Sequence, residues 1–407
     1  MLNLEQLLPY LDEWASLLLR WLHITAGVAW IGASFYFIAL DYSLRPPKDP
    51  ADLQQGVGGE AWEIHGGGFY QVKKFQVAPP TLPAHLAWFK YEAYTTWLSG
   101  FCLLVALYFF NAQTYLIDRR VADISPPLAI GVSLAALLIG WLVYDTLCRF
   151  LENNDRLLAL CVAAFIVIEV SALSHLLSAR AVYLLVGATI GTIMVANVRF
   201  IIIPGQRELV RAKEEGREPD PIHGIRGKQR SVHNNYLTLP VLFAMISNHF
   251  PMTYDNPNGS LLLLAIMALG AWFRHFFNLY HRGKLNWTIP LTTALGMVGV
   301  IVLAAPPGLL IRPPGASSAQ VSFSTVQPIV QQRCEVCHSQ TPIQPGFTAP
   351  PQGVMLDTPQ EIHDLAPRIY QKAVVEKAMP LGNLTNMTDQ ERSVLAAWIE
   401  QGAHIDR

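Results

Sequence analysis

Residues 334–338 of the chain read Cys-Glu-Val-Cys-His. Two thiols at this spacing, followed at once by an imidazole, can add across the vinyl groups of a haem while the histidine turns back to ligate the iron. A zinc site would need two further soft ligands nearby, and no cysteine follows Cys337. Cys334, Cys337 and His338 are therefore the expected attachment and ligand residues of one covalent haem c. The sixth ligand should be a methionine from later in the chain. Met355, Met379 and Met387 are the candidates. Met379 stands first, because Pro380 and Gly382 in KAMPLGN make a non-helical loop that presents a thioether.

A second set of chemical groups lies inside apolar segments. Histidine is expensive in hydrocarbon and is functional there by default. His23, His175 and His249 fall at one depth once the segments are oriented as below. Two imidazoles facing across a bundle can hold a b-type haem, so these three are its candidate iron ligands. Helix–helix hydrogen bonding is the bland alternative, and interhelical pairing is the expected role of Glu169, Arg199, Arg274 and Asn197. A third set lies in two basic loops. One carries His65, then Gly66, Gly67 and Gly68, whose backbone N–H groups can approach an anion, then Lys73 and Lys74. The other ends GKQRSVHNNYLTLP and offers a cation in Arg230, an acid/base group in His233 and two amides in Asn234 and Asn235. Charge bias with a glycine turn explains the lysines and arginines but not the amides and histidines, so both readings stand.

The elements that position these groups follow from composition. Charged residues make up 14% of the chain and apolar residues 52%, against roughly 25% charged in an ordinary soluble protein. Lipid must solvate part of such a chain. Eight stretches approach the roughly 20 apolar residues that cross a bilayer core: 17–40, 91–110, 128–148, 157–177, 181–203, 236–250, 260–280 and 289–310. The sixth is short and holds Pro240. Gly187 and Gly191 form a GxxxG step in the fifth, suited to close helix packing. Cys102, Cys148 and Cys161 lie in apolar runs and read as small buried hydrophobes. The N-terminus lacks a basic n-region, so the first apolar helix is expected to act as the insertion signal.

Lys and Arg concentrate in the odd-numbered loops, which places those loops in the cytoplasm of a bacterial inner membrane. Eight spans then put both termini outside, where haem c is attached. The expected fold is all-α: a polytopic bundle of about eight spans over 1–311, a Pro/Gly/Ser linker over 312–320, and a small class I-like c-type cytochrome domain over 321–407. Its closing helix should be capped by Thr388 with Glu391 at the capping-box position. The net charge of −1 gives no sign of nucleic acid.

The stretches WEIHGGGFYQVKKF, WFKYEAYTTWLSGF and HNNYLTLPVLFAMISNHFP, with the eight spans and the terminal CEVCH, resemble the membrane-bound bacterial urate hydroxylase (urate oxidase) family with a fused cytochrome c. The resemblance implies conversion of urate to 5-hydroxyisourate, with electrons leaving through the cytochrome to a respiratory acceptor, a cytochrome or terminal oxidase, rather than to oxygen as peroxide. It brings no catalytic residues with it. The chemistry removes two electrons and a proton and adds water at C5. A planar urate monoanion asks for a cation, amide partners and a stacking aromatic. Arg230, Lys73, Asn234, Asn235, Tyr70 and Trp88 offer these, and His233 or His65 can serve as base. Two other functions compete: a quinol-oxidising electron-transfer subunit without urate chemistry, and a transporter carrying a cytochrome tag.

Overall fold

The structure is a computed structural model that describes residues 4–305, 320–345, 347 and 349–405, with side chains from Tyr10 onward except that of Asp12. The linker expected over 312–320 and the last residues of the eighth apolar stretch lie outside the described residues, apart from Gln320.

Each apolar stretch falls on a helix. The first is α1 (Leu4–Ser43) and the second α3 (Tyr91–Leu103), prolonged by a π turn over Leu104–Phe109. Next come α5 (Pro126–Phe150), α6 (Asp155–Ser174) and α7 (Ala179–Ala196), the last running through a π turn at Asn197–Ile202 into α8 (Ile203–Glu214). The bundle closes with α9 (Pro221–Ile246), α11 (Gly259–His281) and α12 (Thr288–Ala304). Short helices α2 (Pro50–Gln54), α4 (Ala112–Tyr115) and α10 (Pro251–Tyr254) lie in the connections. Five helical stretches are long and apolar enough to cross a membrane: Glu13–Ser43, Pro126–Phe150, Asp155–Ser174, Ala179–Glu214 and Gly259–His281. Helix starts carry ordinary caps. Asn154, Ser178 and Asp220 accept hydrogen bonds from backbone N–H groups of the first turn, and prolines open α5 and α9. Pro240 does not end α9.

α7 is the central helix and packs on α3, α5, α6 and α9, with nearly every residue from Ala181 to Ala196 buried or half-buried. Small residues set two close crossings. A Cβ on Gly187 would come within 2.6 Å of the Ala244 Cβ, which fixes α7 against α9. A Cβ on Gly270 would lie 3.2 Å from the Leu239 Cβ, which brings α11 onto α9 one turn before Arg274.

The all-α reading omits one feature. Residues of the first long loop form an antiparallel hairpin, β1 (Val57–His65) and β2 (Gly68–Phe75). Gly66 and Gly67 make its two-residue turn, both at positive φ (57° and 82°), the backbone that a two-residue hairpin connection demands. The glycines thus serve the turn, one of the two readings that the sequence left open. Lys73 pairs with Asp52 at 2.8 Å, and Lys74 pairs with Asp41, which also holds Lys228 at 2.7 Å. These pairs tie the hairpin to α1 and α9.

The C-terminal residues form a separate helical unit: α13 (Phe323–Arg333), α14 (Pro359–Asp364), α15 (Ala366–Ile369) with a following π turn, and α16 (Asp389–Glu400). Trp398, Leu395, Val326 and Val330 are its core. Thr388 and Glu391 form the capping box expected of the closing helix. The unit rests on the loops after the second, fourth and sixth apolar helices, the end of the bundle opposite the hairpin. Thr114, Ser178, Arg180 and Asp255 of those loops line one crevice with Lys377, Ala378 and Gly382.

Candidate functional site

In the C-terminal unit, α13 ends at Arg333 and the chain turns through Cys334–His338, with Cys337 N–H and His338 N–H donating to the Cys334 carbonyl at 3.1 and 2.9 Å. His338 Nδ1 lies 3.1 Å from the Val354 carbonyl. A carbonyl accepts only, so Nδ1 carries the proton and Nε2 keeps its lone pair. Burial pushes the Cys334 thiol up to about 12 and raises Cys337 as well, while it lowers His338 and favours the neutral imidazole that binds iron. Among the described residues no group of three or more His, Cys, Asp and Glu side chains is arranged to hold a metal ion. Two free thiols and one oriented imidazole fit haem attachment.

The three methionines separate by environment. Met355 is exposed and follows Val354, whose carbonyl holds His338 Nδ1. Met387 is 3% exposed and is a member of the hydrophobic core, and Asn383 bonds both its N–H and its carbonyl. Met379 packs at the edge of that core, as Cys334 does. Arg392 donates to the Met379 carbonyl at 2.7 Å and to the Ala373 carbonyl, which fixes the loop that presents the thioether.

The bundle gathers Arg230, His233 and Asn234, as the sequence suggested, but into a closed network. Arg230 donates to Asp145 Oδ1 at 2.8 Å and to Asn197 Oδ1 at 3.1 Å. Asn197 donates to the Tyr144 hydroxyl and to Asn234 Oδ1, and Asn234 donates to the Met194 carbonyl. His233 Nδ1 meets the Tyr144 hydroxyl at 2.8 Å. Arg230 is 4% exposed and its charge is already neutralised by Asp145. It knits α5, α7 and α9 together, with its charge held by Asp145. His65 is not part of the group. It pairs with Gly68 at the exposed tip of the hairpin.

The three histidines proposed for a b haem make separate contacts. His23 Nδ1 faces the Thr96 carbonyl at 2.9 Å on α3. His175 caps α6 and bonds its own helix at the Ser171 carbonyl. His249 is exposed on a short 3-10 turn. Among the described residues, no hydrogen bond or ring contact joins any two of them.

A second polar cluster lies between α1, α9 and α11, and here the groups are not satisfied. Arg274 is 5% exposed and donates through Nε to Asn235 Oδ1 at 3.0 Å. Among the described residues, its Nη2, the Asn235 Nδ2 and both polar atoms of Asn278 are buried without a hydrogen bond of ordinary length, the Asn278 amide lying near the Tyr236 hydroxyl. No carboxylate pairs with Arg274 among the described residues. Its guanidinium stacks over the Phe35 ring at 3.8 Å. Beside it the Tyr236 hydroxyl meets His275 Nδ1 at 2.6 Å. Arg274 was expected to find an interhelical partner and finds only an amide. Asn278 escaped the sequence reading, although its place one turn after Arg274 in WFRHFFNLYH puts both on one helix face.

Long apolar helices thus surround buried polar clusters and are joined to a helical unit that carries a Cys-X-X-Cys-His turn. Residues 9–305 match the family described as urate oxidase N-terminal. The chain belongs to that family, which makes its bundle a domain for oxidoreductase chemistry on urate. No curated protein and no solved structure matches it.

Proposed function

We propose that the protein is a membrane urate hydroxylase that oxidises urate to 5-hydroxyisourate and passes the electrons to its own haem c. The urate anion and one water give 5-hydroxyisourate, one proton and two electrons. Haem c, bound through Cys334 and Cys337 and ligated by His338 and Met379, would supply a one-electron acceptor that is used twice per urate. The electrons then leave for a respiratory cytochrome or terminal oxidase, and no peroxide forms.

The observation that carries this reading is the free Nε2 of His338, set by the Val354 carbonyl beside two unpaired thiols, in a chain whose bundle is of the urate oxidase family. The basic odd-numbered loops support a bacterial inner membrane location with the hairpin in the cytoplasm and the haem unit in the periplasm. Mixing oxidised protein with urate without oxygen tests the proposal. The ferrous haem c spectrum is expected to develop. Reduction by a quinol and not by urate would favour an electron-transfer subunit instead.

A further inference from the structure

We infer that the unsatisfied cluster of Arg274, Asn235 and Asn278 is a binding site for a planar heteroaromatic monoanion, which under the functional reading above is urate itself. The argument begins with what is missing from the protein side. A buried guanidinium without a counterion, and an amide with neither donor nor acceptor matched, are both destabilising in a low-dielectric interior. The Arg230 network one helix face away shows that this bundle is able to satisfy such groups, with an aspartate and two asparagines. The Arg274 cluster is left open, so the partner comes from outside.

The open positions define that partner. Arg274 Nη2 and Asn235 Nδ2 are donors, and they ask for acceptor oxygens or nitrogens on one edge of a ligand. Asn278 offers one donor and one acceptor, which suits the N–H and C=O groups of an amide-like edge. The guanidinium brings one positive charge, so the ligand brings one negative charge. Phe35 under the guanidinium fixes its plane, and a flat ligand can lie in that plane. A urate anion has carbonyl and N–H groups along its edges and one negative charge. A lipid headgroup fits less well, because Asn235 is 0% exposed and Asn278 is 2% exposed, far from where a phosphate with two acyl chains could reach.

The test is binding without turnover. Full-length holoprotein is reduced with dithionite so that urate cannot be oxidised, and radiolabelled urate is titrated by equilibrium dialysis. Arg274→Met and Asn278→Leu are expected to weaken binding roughly 30-fold or more, and Arg274→Lys, which keeps charge but not the fork, less. A merely structural Arg274 would lower the melting temperature on removal. A ligand site predicts that Arg274→Met melts at the same temperature or higher, since the uncompensated charge is gone. Unchanged urate affinity in both variants would overturn the site and leave the functional reading standing. Loss of co-purified anionic phospholipid in Arg274→Met, with urate affinity unchanged, would overturn it in favour of a headgroup. No urate binding and no haem reduction in the unmodified protein would bring down the functional reading first, and the site with it.

Discussion

Gly382 of the C-terminal unit lies against the backbone carbonyl of Thr114 in the bundle. A Cβ there would stand 3.2 Å from that oxygen and 3.5 Å from the Ile117 carbonyl. Gly382 belongs to the loop of Met379, so the unit docks by the edge that presents its proposed iron ligand. A side chain at this point forces the two bodies apart. Overpacking costs about 1–3 kcal/mol, so Gly382→Val should raise the undocked population about tenfold or more. The positive φ of Gly382 (57°) adds strain within the loop itself. Gln113→Trp, on the bundle side of the same contact, is therefore the cleaner variant. Both should speed proteolysis of the linker and slow haem reduction by urate. In Gln113→Trp the haem spectrum should not change.

Docking should also depend on pH. Burial pushes Asp255, in the crevice between the two bodies, up from 3.8 to about 7, with Asp118 and Glu376 adding to the rise and Arg120 and Arg180 opposing it. A raised carboxyl pKa means that the docked form holds the proton more tightly than the free form. The stabilisation is complete below about 3.8 and is lost as pH rises through about 7. Linker proteolysis should therefore quicken over that window. Asp255→Asn should flatten the dependence at the slow, protected rate. An unaltered pH profile in Asp255→Asn would assign the effect elsewhere.

The two buried arginines should answer differently to the same substitution. Arg230→Met strands Asp145, which keeps only the exposed Arg149 at 2.7 Å, and unpairs Asn197. Breaking a buried pair from one side costs about 3–5 kcal/mol. Thermal unfolding in detergent should show a clear loss for Arg230→Met and none for Arg274→Met. Equal losses would mean that the protein itself already compensates the Arg274 charge.

Met379→Ala should abolish the Met-to-iron charge-transfer band and leave the haem covalently bound. Met387→Ala should keep the band and destabilise the unit by about 2–5 kcal/mol, as expected for a core methionine cut to alanine. The reverse pattern would exchange their roles. On the same samples, acid-acetone extraction separates non-covalent haem from haem c. A b haem ligated by two of His23, His175 and His249 should appear in the extract with two irons per chain, and one iron per chain with no extractable haem would rule it out.

Much of this was legible in the sequence. The eight apolar helices, the Thr388 capping box and the close approach at Gly187 follow from local patterns: apolar length, an S/T-x-x-E spacing and small residues four apart. The hairpin was written in the sequence too, since WEIH and FYQVKKF flank a Gly-Gly pair, but a glycine turn and an anion cradle carried equal weight there. The polar residues of the bundle were harder. Arg230 and Arg274 look alike in the sequence, each a cation near amides. Only the three-dimensional packing shows that Asp145, 85 positions away, serves the first and that no carboxylate among the described residues serves the second.

The most direct measurement of the central claim is a titration without oxygen. Oxidised protein receives sub-stoichiometric urate, and ferrous haem c and remaining urate are followed together. The account predicts two haems reduced for each urate consumed, 5-hydroxyisourate as the product and no peroxide. Urate that disappears only when oxygen is admitted, with peroxide formed and haem c still oxidised, would contradict it.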